Sequence, residues 1–256
     1  MATAPSFSID LTGQVALVTG ASSGLGERFA RVLAACGAKV AVAARRQDKL
    51  ADIVADIAAE GGSARAYCLN MRDHTALPAV VEQISADLGP VSILVNNAGI
   101  TDGRRAVNMT PDLIDSVLET NLRGPYVLAC EVAKRLIAAD LPGRIVNIGS
   151  IGAFTCSKPG QSLYSISKTG INRMTEVLAV EWAAHHINVN AIAPGTFHSE
   201  MTAKMIAKIG DNSAATPRKR FCGPEMLDST LLFLVSPSSA GVTGTVIKVD
   251  DGQTGR

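Results

Sequence analysis

The run Gln14-Val-Ala-Leu-Val-Thr19-Gly20-Ala-Ser-Ser-Gly24-Leu-Gly26 decides how the chain folds. Residues 14–19 are short and apolar, as a buried strand must be. A glycine turn follows at once. A helical pattern then runs through Phe29, Val32, Leu33 and Cys36 until Gly37 ends it. Strand, glycine turn and helix make the first half of a βαβ unit. Glycines in such a turn let the backbone approach a pyrophosphate, which then sits at the positive helix N-terminus. A glycine-rich turn alone can be no more than a turn. Here the strand before it and the helix after it supply the context that a phosphate site requires.

Working outward, residues 39–44 form a second strand, with Arg45-Arg46 directly after it. In a dinucleotide fold the end of this strand meets the adenosine ribose. An acidic residue there binds the ribose hydroxyls, whereas an arginine suits a 2′-phosphate. Ala44 stands where the acid would be. Arg45 follows, and its planar fork can hold a phosphate through two parallel hydrogen bonds, which selects NADP (NADPH) over NAD. Arg46 is the second candidate, since a residue at a helix start can point to solvent. The alternative reading makes both arginines solvated helix openers.

Further strands at 63–69, 91–95, 144–149, 187–193 and 245–249 alternate with helical patterns. Seven strands alternating with helices predict an α/β chain, a doubly wound parallel sheet with helices on both faces. No repeat or second-domain boundary is visible, so residues 1–256 read as one domain. Asn96-Asn97-Ala98-Gly99 leaves the fourth strand. These residues make a turn, or they bridge neighbouring backbones and line the ligand cleft. A helix opened by Thr110-Pro111 carries Asn121 and runs past Gly124-Pro125, with a kink expected at Pro125. His185-His186 ends a later helix, where imidazoles favour the negative dipole, and no metal site is expected. After Pro194-Gly195 comes an irregular region, about 196–223. A loop of that length is usually functional, and His198, Met201 and Met205 are candidates for a substrate lid.

The chemistry concentrates between residues 150 and 168. Ser150 stands at the carboxyl end of the fifth strand. Tyr164 and Lys168 follow on a helix beginning near Leu163, four apart and therefore on one face. An ammonium beside a phenol favours the phenolate and lowers its pKa from about 10, so the tyrosine can pass a proton near neutral pH. Ser150 can hold the oxygen that takes the proton. Without the surrounding strands and glycine turn, such a pair is usually a surface pair.

Bulk properties exclude several alternatives. A net charge of +1 without a basic block argues against nucleic-acid binding and electrostatic membrane attachment. No apolar run reaches the roughly 18 residues of a membrane helix. The first six residues show no signal-peptide pattern, and the five cysteines form no Cys-x-x-Cys pair. A cytoplasmic protein with reduced thiols is expected.

The whole chain resembles the short-chain dehydrogenase/reductase family. Thr19-Gly20-x-x-x-Gly24-x-Gly26 matches its cofactor motif, Asn96-Asn97-Ala98-Gly99 its second signature, and Pro194-Gly195 its sixth-strand motif. Asn121, Ser150, Tyr164 and Lys168 match its catalytic tetrad. The resemblance implies a Rossmann-type fold and a cytoplasmic, NADP-dependent carbonyl reductase or alcohol dehydrogenase (EC 1.1.1.-), possible 3-oxoacyl substrates included. It implies that Tyr164 is the general acid or base, and that Lys168 holds the nicotinamide ribose and lowers the Tyr164 pKa. Ser150 would bind the substrate oxygen, and Asn121 would support a water relay behind Lys168. Dinucleotide contacts are expected from Gly20, Ser22, Ser23, Gly24, Leu25, Gly26, Arg45, Arg46, Asn97, Ala98, Gly99, Pro194, Gly195 and Thr196. Asn70 and Met71 resemble the adenine-contacting pair, and Ser199 stands where the family often has Thr near the carboxamide. A homotetramer packed through the helices around 112–139 and 163–184 is also implied. On those helices Ile171, Met174, Leu178 and Trp182 read as core, and Val177, Val180, Val127, Leu128 and Val132 as interface.

The chain departs from the pattern at three places. Ser150 and Tyr164 are fourteen apart, where thirteen is usual, so an extra residue is expected to bulge the loop 154–161. Asp251 replaces a common glycine near the C-terminus. Leu141 and His185 stand where reductases acting on carrier-protein thioesters tend to be basic. Two other functions fit the same motifs: an NAD-linked alcohol dehydrogenase working in oxidation, and a catalytically silent dinucleotide-binding sensor or scaffold.

Overall fold

A computed structural model describes residues 9–155 and 160–254. Seven strands lie in one sheet, ordered β3-β2-β1-β4-β5-β6-β7. They are β1 (Val15–Thr19), β2 (Lys39–Ala44), β3 (Ser63–Cys68), β4 (Ile93–Asn96), β5 (Gly143–Ile148), β6 (Ile187–Pro194) and β7 (Val246–Val249). Every pairing is parallel. β1, β4 and β6 are buried along their whole length, as a central parallel strand covered on both faces requires.

The two-residue period of a strand divides the core. Ala16, Val18, Val40, Val42, Ile93 and Val95 point to one face. There they meet Phe29 and Leu33 of α1 (Gly24–Ala35), Leu50 and Ile57 of α2 (Gln47–Ala59) and Leu231 of α8 (Asp228–Val235). Val15, Leu17, Ala41, Leu94 and Val189 point to the other. They pack on α3 (Ala76–Leu88), α5 (Gly124–Ala138) and α6 (Ser162–Trp182). On α6, Ile171, Met174, Leu178 and Trp182 recur at helical spacing and are all at least 94% buried. Leu128 and Val132 of α5, expected at an interface, are also core residues, and Val127 packs against the same cluster. Val177 and Val180 of α6 are exposed. Among the described residues, no helix is long and apolar enough to cross a membrane.

The strand order reverses between β1 and β4. Beyond the carboxyl ends of these paired strands the connections leave toward opposite faces of the sheet, and a crevice opens between them, the usual ligand position in an open α/β sheet. Two segments differ from the sequence reading. The expected long helix around Asn121 is α4 (Pro111–Leu118), one π turn (Glu119–Arg123) and α5. The distortion falls in the turn before Pro125, where the proline lacks an N–H to donate and its ring crowds the preceding carbonyl. The region 196–223 is not irregular throughout. Ser199 caps α7 (Glu200–Ile209) by accepting a hydrogen bond from Thr202 N at 3.2 Å. The bulge expected over 154–161 falls largely on residues 156–159, outside the described residues.

Candidate active site

The glycine turn shapes one end of the crevice. An added Cβ on Gly26 would lie 2.4 Å from Gly20 O and 2.5 Å from Asn97 Nδ2. Gly20 has φ +65°, and a Cβ there would lie 2.8 Å from Ala98 Cα. The turn is thus pressed against the residues that leave β4. Asn97 seals that contact: its Nδ2 donates to Thr19 O at 2.9 Å and to Gly20 O at 3.3 Å. Thr19 Oγ1 accepts from the backbone N–H of Asn97 and Ala98 at 3.0 and 3.1 Å. Asn97 bridges neighbouring backbones as expected; Asn96 Nδ2 instead donates to the side-chain Oδ1 of Asn147 on β5 at 2.9 Å and to Pro125 O at 3.3 Å. Ser23, at the N-cap of α1, makes no capping hydrogen bond. The first-turn N–H groups of α1 remain available to an anion.

From this turn a cleft of about 680 Å³ runs across the switch point to Ser150, Tyr164 and Lys168. That volume is within the range of small-molecule and cofactor sites. Gly20, Ser22, Ser23, Gly24, Leu25, Arg45, Arg46, Asn70, Met71, Asn97, Ala98, Gly99, Pro194, Gly195 and Ser199 all line it. Gly26, Asn121 and Thr196 do not. Gly26 packs behind the turn, and Thr196 donates its backbone N–H to Gln253 Oε1 at 2.9 Å. Of the expected lid residues only Met201 lines the cleft; His198 stacks edge-on against Phe221 with centroids 6.0 Å apart.

Ser150 and Tyr164 flank the same space: an added Cβ on Gly152 would lie 3.4 Å from Ser150 Oγ and 3.6 Å from Tyr164 Cε1. Ser150 Oγ accepts from Gly152 N at 3.0 Å, which fixes it at the end of β5. Lys168 is 4% exposed, and its Nζ donates to Ile148 O at 2.7 Å. It stands 5.8 Å from the centre of the Tyr164 ring. Burial alone brings the Lys168 pKa down to about 8. Burial raises the Tyr164 pKa, and the Ser150 hydroxyl offsets part of that rise. The expected lowering by Lys168 is therefore absent from this geometry: one helix face brings the residues together, but Nζ turns to the β5 carbonyl instead of the phenol. Tyr164 is left a protonated phenol at neutral pH.

Asn121 stands behind Lys168 on the π turn. Its Oδ1 accepts from Ile100 N at 2.8 Å, and its Nδ2 donates to Ile100 O at 2.9 Å and Ser167 Oγ at 3.1 Å. It ties the segment after β4 to the helix that carries Tyr164. Asp102 adds a second tie that spacing does not reveal. Only 7% exposed, it accepts from Leu163 N at 3.0 Å and Tyr164 N at 3.4 Å through Oδ2. Its Oδ1 accepts from Gly103 N at 2.8 Å. A buried carboxylate thus closes the N-terminus of α6, one peptide from the tyrosine.

Beside the glycine turn the two arginines are placed differently. Arg46 lies over the glycine turn and contacts Ser22 and Ser23, whereas Arg45 stands exposed at the rim. At the opposite edge Asp251 adopts φ +53°, the left-handed region that favours glycine. Its carboxylate offsets that by pairing with Arg218 Nε at 3.2 Å and Arg220 Nε at 2.8 Å, which pins the loop after α7 to the end of β7.

The family model for short chain dehydrogenases matches residues 14–210. The 3-oxoacyl-(acyl-carrier-protein) reductase FabG of Thermotoga maritima is 36% identical over 243 residues, 94% of this chain and 98% of that one. A short-chain type dehydrogenase/reductase from Mycobacterium marinum superposes with a TM-score of 0.93 at 32% identity, covering 97% and 98% of the two chains. An actinorhodin polyketide ketoreductase, solved with NADPH, gives 0.89 at 31% identity over 94% and 97%. With its parallel seven-stranded sheet, its glycine turn sealed by Asn97, and Ser150, Tyr164 and Lys168 at the far end of the cleft, the chain belongs to the short-chain dehydrogenase/reductase family.

Proposed function

We propose that the protein is an NADP(H)-dependent carbonyl reductase that interconverts a ketone and a secondary alcohol. The observation that carries this reading is Tyr164, beside Ser150 and backed by the buried Lys168, at one end of a cleft whose other end is the glycine turn. The residues fit a dinucleotide: any side chain at Gly20 or Gly26 would close the turn, and the first turn of α1 offers free N–H groups. When bound, the nicotinamide supplies or accepts the hydride.

The chain's own groups handle the oxygen and the proton. Ser150 holds the substrate oxygen beside the Tyr164 hydroxyl. Tyr164, kept protonated by burial, donates its proton to the alkoxide that forms in reduction and takes one back in oxidation. Lys168, charged below about pH 8 and anchored by Ile148 O, would hold the nicotinamide ribose. Asn121 and Asp102 hold the helix that aims both groups.

Ala44 together with Arg45 and Arg46 supports NADP, and one relative of this fold was solved with NADPH. The name of the Thermotoga relative supports 3-oxoacyl thioesters as the first substrates to try. A single domain in a cytoplasmic homotetramer completes the reading. It is supported by the one sheet from Val15 to Val249 and by the exposed Val177 and Val180 on α6. The test is kcat/KM for NADPH and NADH over a panel of ketones that includes 3-oxoacyl thioesters. A preference for NADPH of about 10-fold or more is expected from one good arginine–phosphate contact. Equal values would remove the cofactor assignment, and no turnover of any ketone would favour a silent binding protein.

A further inference from the structure

Arg46 already has a partner. Its Nε and Nη2 lie 3.2 and 3.0 Å from Ser22 Oγ, Nη2 also reaches Ser23 Oγ at 2.9 Å, and Nη1 donates to Glu200 Oε1 at 3.0 Å. Every guanidinium nitrogen is engaged. Glu200 comes from the first turn of α7, 154 residues further along the chain, and lines the same cleft as Arg46. Arg46 holds its carboxyl below the usual carboxylate range, so it is ionised at neutral pH. An anion reaching the adenosine end therefore finds one of the two arginines neutralised and a carboxylate beside it.

We propose that Glu200 is a specificity-determining residue: it is the resident counter-ion of Arg46, and a 2′-phosphate engages that guanidinium only by displacing it. This rests on the NADP reading above. Glu200 then weakens binding of the phosphorylated dinucleotide relative to NAD, and Arg45, exposed at the rim, makes the contact that needs no exchange. Both members of the Arg46–Glu200 pair are about half exposed, so its effect is modest.

The test is calorimetric binding of adenosine 2′,5′-bisphosphate and of 5′-AMP, which differ only in the 2′-phosphate, to the wild type, Glu200→Gln, Arg46→Ala and the double variant. Glu200→Gln is expected to raise the preference for the bisphosphate about three- to tenfold. In the Arg46→Ala background the same substitution is expected to change it little, since the coupled partner is gone. A wild type that prefers the bisphosphate, with the preference unchanged in Glu200→Gln, overturns the proposal and leaves the NADP reading standing on Arg45. A gain that persists without Arg46 also overturns it, because the carboxylate then acts by long-range repulsion and not as a counter-ion. If neither the wild type nor Glu200→Gln distinguishes the two nucleotides, the NADP reading fails and the proposal fails with it.

Discussion

Replacing Asp102 with Ala removes the carboxylate that closes the N-terminus of α6. Three backbone N–H groups, of Leu163, Tyr164 and Gly103, lose their acceptor. Hydrogen bonds to a charged group contribute about 1.5–3 kcal/mol net, and a lost helix cap costs about 0.5–2 kcal/mol. Water recovers part of this and the 3.4 Å contact is weak, so about 2–4 kcal/mol of stability is expected to go. The first turn of α6 carries Tyr164. Misplacing a reacting group by about 1 Å can cost about 10²-fold, so kcat should fall at least about tenfold. The glycine turn belongs to β1 and α1, so the dissociation constant for the dinucleotide should move far less than kcat. Asp102→Asn keeps an acceptor oxygen without the charge and should recover much of both losses. Urea unfolding, dinucleotide titration and initial rates on the three proteins make the assay. An alanine variant with wild-type stability and kcat would show that Asp102 positions nothing. A kcat loss matched by an equal loss of dinucleotide affinity would show general unfolding instead.

Gly26→Ala places a methyl group against backbone that cannot yield cheaply. A cost of about 1–3 kcal/mol is expected, with weaker dinucleotide binding measured by titration. The rate of reduction should fall as pH rises through about 8, where Lys168 loses its charge, while Lys168→Met should show a low, flat profile there. The stability sign follows from the same group. The unfolded lysine titrates near 10.4, so between about 8 and 10.4 the unfolded chain binds more protons. Wild-type stability relative to Lys168→Met should therefore rise across that window, the full burden of the buried ammonium being present below it.

Much of the fold is legible in local pattern. Each of the seven expected strands formed within two residues of its bounds, most plainly β1, β4 and β6, because a strand buried on both faces leaves no room for polar interruption. The glycine turn was equally legible, since Gly20 and Gly26 meet backbone that admits no side chain. What pattern missed lies in long-range contacts. Asp102 meets Leu163 across 61 residues and Glu200 meets Arg46 across 154, and no spacing encodes either. Adjacent arginines share one sequence argument, and only Ser22, Ser23 and Glu200 decide that Arg46 folds over the turn. Helical spacing placed Tyr164 and Lys168 on one face without saying where Nζ turns. The carbonyl of Ile148, at the end of β5, settled that. α7 was hidden because the amphipathic pattern of Met201, Met205 and Ile206 is short and sits among loop residues.

The central claim is that Tyr164 transfers the proton at the Ser150 end of the cleft. Tyr164→Phe tests it most directly, because it removes one hydroxyl and leaves the ring and its packing. Acid–base groups contribute about 10²–10⁴-fold, so kcat for ketone reduction should fall by that factor while the dissociation constant for NADPH stays near the wild-type value. Turnover close to wild type in a folded, NADPH-binding Tyr164→Phe protein would contradict the account.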